Sequence, residues 1–155
     1  MESKIQGVKI ISLKKWEDGR GWLCEIFRRD EIEAGVFPAM TYVSVTHPGI
    51  ARGPHEHRDQ TDLFAFVGPS IFKMYVWDNR KDSSTFGEKE TYLVGQDAPT
   101  VVIVPPGVVH AYKNVGEIDG LVINCPNQLY AGEGKKLPVD EIRHEDETDS
   151  SFKLD

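Results

Sequence analysis

The chain has 155 residues, 39% of them hydrophobic and 28% charged, with a formal net charge of −7. That length and balance describe one globular domain over residues 1–155 with a full hydrophobic core. The acidic excess argues against nucleic acid as a partner, and no apolar run approaches the roughly eighteen residues of a membrane span. The opening "MESKIQGVKII" has no basic segment followed by a long apolar one, so no signal peptide is expected and the cytoplasm is the expected compartment. Cys24 and Cys125 lie far apart in apolar runs and read as free thiols in a reducing setting.

In chain order the predicted strands are "VKIISL", "WLCEIF", "TYVSVT", "LFAFV", "IFKMYVW", "TYLV", "TVVIVP", "VVHAYKN" and "GLVINC". Each is short and rich in β-branched or aromatic residues, and Gly, Pro, Asn and Asp clusters separate them. Only "RRDEIEAG" and "LPVDEIRHEDE" could hold a helical turn or two, and the acidic tail "HEDETDSSFKLD" is expected to be pinned only in part. The expected architecture is all-β, an antiparallel barrel or jelly roll with little helix.

Strand residues alternate faces, so His55 and His57 of "RGPHEHR" point the same way, as do Asp62, Phe64 and Phe66. His110 of "VPPGVVHAYKN" follows a proline-glycine turn. Three imidazoles and a carboxylate converging inside a barrel leave two chemical readings open. Imidazole titrates near neutral pH and can give or take a proton. It also ligates Zn, Fe, Ni or Mn, with a carboxylate balancing the charge.

His-x-His, four residues, an acid and then a glycine resembles the first motif of the cupins. Pro105, Gly107, His110 and Asn114 resemble the second. The resemblance implies a cupin jelly roll, and for metal-binding cupins a metal held by His55, His57, Asp62 and His110. Other segments resemble one branch of that superfamily, the dTDP-4-dehydrorhamnose 3,5-epimerases. They are "DGRGWLCEIF", "GIARGPH", "VWDNRKDSSTFGE", "VPPGVVHAY" and "DEIRHED", in collinear order from about Asp18 to Asp146.

That resemblance implies chemistry without a cofactor on a nucleotide-linked 4-keto-deoxysugar, most simply dTDP-linked, whose ketone acidifies the neighbouring C–H bonds. It implies His55 as the base, Asp146 as its orienting partner, and Arg52 at the substrate diphosphate. It places Arg20 and Glu25 at the nucleotide, partly across a homodimer interface, and has His110 line the sugar site. The family's lysine falls at Asp62 and its tyrosine at Ile123. Sugar 3,4-ketoisomerases of the same fold resemble "RGPHEHR" more closely and carry a tyrosine where Tyr42 stands, which implies His57 and Tyr42 as further catalytic groups. The expected function is therefore an isomerase, an epimerase or a ketoisomerase, serving cell-surface or secondary-metabolite sugar synthesis. A metal-dependent cupin enzyme and a non-catalytic sugar-nucleotide binder are the alternatives.

Overall fold

The computed structural model describes residues 2–155. Its strands are β1 (Lys9–Ser12), β2 (Lys15–Asp18), β3 (Gly21–Cys24), β4 (Tyr42–Thr46), β5 (Ala51–Glu56) and β6 (Asp62–Phe66). They continue as β7 (Ile71–Asp78), β8 (Lys89–Gly95), β9 (Thr100–Val104), β10 (Val108–Asn114), β11 (Gly120–Asn124) and β12 (Ile142–Arg143). One sheet runs β1-β9-β6-β11-β4, a second runs β12-β5-β10-β7-β8, and β2 and β3 form a separate hairpin. The pairings are antiparallel, so the architecture is the expected jelly roll.

The two large sheets bury their facing sides against each other. Phe64, Phe66, Val102 and Val122 come from the first sheet, and Phe72, Met74, Val76 and Tyr112 from the second. The outer faces are covered as well. Leu13, Ile26 and Val36 pack over Leu63, Ala65, Val101 and Ile103, while Phe152 and Leu154 of the tail pack over Trp77 and Ala111. Burial on both sides explains why "LFAF" and "TVVIV" are continuous apolar runs rather than alternating ones. It also shows that the tail is held by its apolar residues.

The hairpin after β7 is organised by Asp78, whose carboxylate accepts from Arg80 Nε at 2.7 Å, Ser83 Oγ at 2.6 Å and Thr85 Oγ1 at 2.5 Å. Burial works against its ionisation, but these donors outweigh it and hold the carboxyl well below the usual range. Each of the two segments expected to hold a helical turn holds one 3₁₀ turn and no α-helix. In the first the turn is Ala34–Val36, and Ile32 and Ala34 alone give no apolar stripe for a longer helix to bury. Residues 137–147 yield β12 and a 3₁₀ turn at His144–Asp146, since pairing Ile142 with Glu56 and Arg143 with His55 fixes the backbone as strand.

Candidate active site

β5 and β10 pair out of step. His110 lies opposite His55 and Tyr112 opposite Arg52, so three steps along β5 match two along β10. The extra residue is a β-bulge at Gly53 and Pro54. Simple alternation would send Arg52 and His55 to opposite faces, but the bulge turns both inward. Gly53 makes this possible: its φ is +83°, and a Cβ there would sit 2.6 Å from the His110 carbonyl oxygen.

Both side chains line a cavity of about 930 Å³. Its floor and one wall come from β5 and β10, the opposite wall from β4 and β6 through Tyr42, Ser44 and Phe64, and residues 128–141 border its mouth. Arg52 is anchored at the β4 side, where Nε donates to Thr46 Oγ1 at 3.0 Å and a terminal nitrogen donates to the Val45 carbonyl at 2.8 Å. His55 packs edge-on against His110, ring centroids 4.5 Å apart. Burial, then the charges of His110 and His57, push its pKa down to about 2, so the ring is neutral at neutral pH.

Behind His55 lies a buried cluster around Asp62. One carboxylate oxygen is 3.0 Å from His57 Nε2 and 3.3 Å from His110 Nε2. The other accepts from Gln60 Nε2 at 2.9 Å and Asn124 Nδ2 at 2.8 Å. His57 Nδ1 donates to the Asp140 carbonyl, and His110 Nδ1 to the Val108 carbonyl at 3.1 Å. Burial opposes charge on His57, but the hydrogen bond and charge of Asp62 outweigh it and raise its pKa. The same contacts, against strong desolvation, depress the Asp62 carboxyl. Both ring nitrogens of His57 therefore face protein acceptors, which makes it part of the wall rather than a group presented to a ligand.

Sequence reasoning brought His55, His57, Asp62, His110, Arg52 and Tyr42 to this place, and the structure gathers all six. Three other expected site residues lie outside the cavity. Asp146 has an exposed side chain whose carboxylate pairs with Arg143 Nε at 3.4 Å, and none of its described hydrogen bonds reaches His55. Arg20 stands at the tip of the β2–β3 hairpin in an ion pair with Asp18 at 2.6 Å, outside the cavity. Glu25 faces Arg28 and borders a separate pocket of about 290 Å³. The residues that sequence reasoning missed are Asn124, Gln60 and Asp140. Asp140 accepts from the backbone amides of Arg58, Asp59 and Gln60 and so holds the turn that carries His57. Only the inward parity of "GLVINC" could have signalled Asn124.

A sequence model of the dTDP-4-dehydrorhamnose 3,5-epimerase family matches residues 2–147. The chain belongs to that family. Among curated relatives it is 35% identical over 140 residues to the "probable low-salt glycan biosynthesis epimerase" Agl13 of Haloferax volcanii, covering 88% of this chain and 89% of that one. It is 33% identical to the spore coat polysaccharide biosynthesis protein SpsL of Bacillus subtilis, covering 88% and 91%. A 3'-monoepimerase from Streptomyces bikiniensis, solved in complex with dTDP, is 25% identical with a TM-score of 0.80, covering 92% of this chain and 71% of that one. The RmlC epimerase of Legionella pneumophila shares the fold at 19% identity, with a TM-score of 0.79 and coverage of 92% and 75%.

Membership of the epimerase family places the chain in the isomerase class, and epimerases of this type work without a cofactor. The three imidazoles do offer nitrogens within 4.8 Å of one another, close enough for a divalent ion. Two of those nitrogens are turned on Asp62, which suits a proton-sharing cluster equally well, and the family's chemistry calls for no ion. Ile123, where the resemblance puts the family's tyrosine, pairs with Ala65 and packs with the outer cluster, while Asn124 is turned inward onto Asp62 and Tyr42.

Proposed function

We propose that this chain is an epimerase of dTDP-linked 4-keto-deoxysugars, with His55 as the base and Tyr42 as the opposing acid, in glycan synthesis. The observation that carries it is that His55 and Tyr42 come from opposite sheets and line one cavity. The inner faces of packed sheets stand about 10 Å apart. A pyranose between them meets a base on one face and a hydroxyl on the other.

His55 takes the proton from the carbon beside the ketone. The C–H electrons become the enolate double bond and the ketone oxygen takes the charge. The Tyr42 hydroxyl returns a proton to the opposite face of that carbon, the ketone re-forms, and solvent restores imidazole and phenol. Desolvation raises the Tyr42 pKa to about 12, so the phenol keeps its proton at neutral pH and acts as a donor. A positioned acid or base contributes about 10²–10⁴-fold. Arg52, inward by virtue of the bulge, supplies the cation for the diphosphate. The dTDP preference is supported by the relatives solved with dTDP and with a dTDP-linked keto sugar.

A homodimer belongs to the same proposal. β4 is an edge strand with exposed Val43 and Val45, and the β2–β3 hairpin exposes Trp16, Trp22 and Leu23. Arg20 and Glu25, which lie away from their own cavity, reach a nucleotide only if a second copy offers its cavity to them.

The test uses a dTDP-4-keto-6-deoxyhexose in deuterated water. His55→Ala should lose solvent exchange by at least about 10²-fold while dTDP binding holds within about threefold. Exchange at the parent rate in His55→Ala would show that the base lies elsewhere. Chelator treatment should leave the rate unchanged, and a chelator-sensitive rate restored by a divalent ion would favour the metal alternative.

A further inference from the structure

The amide of Asn124 has two partners and one bare atom. Nδ2 donates to Asp62 Oδ1 at 2.8 Å and to the Tyr42 hydroxyl oxygen at 2.9 Å, whereas Oδ1 is buried with no hydrogen-bond partner. An ionised carboxylate only accepts, so it admits one orientation of this amide. Turned over, the amide would set oxygen against carboxylate oxygen at the same 2.8 Å and leave its NH₂ group where no acceptor stands. With one N–H committed to Asp62, the other points at the phenol. The Tyr42 oxygen therefore accepts on the protein side, and its own hydrogen is free to turn into the cavity that Tyr42 lines.

Building on the assignment of Tyr42 as the acid, we propose that Asn124 and Asp62 are positioning residues that fix the polarity of the Tyr42 hydroxyl, so that it presents a proton and not a lone pair to the substrate. Asp62 does this without touching the sugar: it is 1% exposed, Oδ1 accepts from Gln60 and Asn124, and Oδ2 is turned to the imidazoles of His57 and His110 at 3.0 and 3.3 Å. The cross-strand pairing of Asn124 with Tyr42 and with Phe64 places the amide between the acid-bearing strand β4 and the Asp62-bearing strand β6.

The experiment measures two rates on the same substrate in deuterated water, label incorporation and inversion of configuration. Tyr42→Phe should retain incorporation and lose inversion by about 10²-fold or more. Asn124→Leu should lower inversion about 10- to 100-fold with KM within twofold, raising the ratio of incorporation to inversion, because a phenol without its clamp loses orientation. The double variant Tyr42→Phe/Asn124→Leu should be no slower than Tyr42→Phe alone. An unchanged ratio in Asn124→Leu, or losses that multiply in the double variant, would overturn the inference. If Asn124→Leu fails to fold, Asp62→Asn replaces it. That substitution removes the charge that selects the amide orientation and should raise the same ratio. An unchanged ratio there counts against the inference equally. A parent enzyme that neither labels nor inverts any such substrate refutes the proposed function itself. Inversion at the parent rate in Tyr42→Phe refutes the acid and this inference while leaving His55 as the base.

Discussion

Burial and the neighbouring imidazoles hold His55 at about 2, and desolvation holds Tyr42 at about 12, so the imidazole is neutral and the phenol protonated throughout the neutral range. An ordinary imidazole titrates near 6.5. The rate should therefore show no acid limb there, and kcat/KM for solvent exchange should stay level from about pH 8 down to about pH 5.5. A fall with a midpoint near 6.5 would contradict the neutral base. Stability should behave differently. His55 is neutral when folded and protonates below about 6.5 when unfolded, so its burial costs stability as pH falls through that value. His57 has the opposite sign: its raised pKa adds stability at low pH that is lost as pH rises through the folded value. At the diphosphate end, Arg52→Ala should weaken dTDP binding by about 10- to 100-fold with a smaller change in turnover at saturation, measured by calorimetry and kcat. His55, His57, Asp62 and His110 were legible because strand parity and two motifs place them together. Asn124 was not, because nothing in "GLVINC" reveals which tyrosine and which carboxylate its amide will meet.

The element that decides the site is β5 with its bulge. Gly53→Ala would force a Cβ to within 2.6 Å of the His110 carbonyl at a φ of +83°. It should cost about 1–3 kcal/mol, seen as a lowered Tm. It should also lower binding and turnover together, since one displacement moves both Arg52 and His55; loss of stability with unchanged kinetics would show that the bulge does not aim them. Most strands could be read from their apolar runs, since two-sided burial makes β6 and β9 continuous. β12 could not, because its two residues sit in an acidic segment and are strand only through pairing with β5. The bulge escaped for a similar reason: a glycine and a proline in sequence mark a turn as readily as an irregularity within a ladder.

At the scale of the molecule, two sheets packed over one core leave a cavity lined by His55 from one sheet and Tyr42 from the other. The jelly roll was legible from short strands and spaced turns, and the family from collinear motifs. The free edge of β4 was not, because which strand ends a sheet depends on the pairing order. Light scattering should report a dimer, and Val43→Lys with Val45→Lys should yield monomers with weaker dTDP binding if hairpin residues of one copy serve the other. A monomeric parent with full activity would contradict that arrangement. The most direct test of the central claim is mass and NMR analysis of a dTDP-4-keto-6-deoxyhexose after turnover in deuterated water. The His55–Tyr42 pair predicts one deuteron at each carbon whose configuration inverts, with the ketone still at C-4; unlabelled substrate, or a ketone moved to C-3, would contradict it.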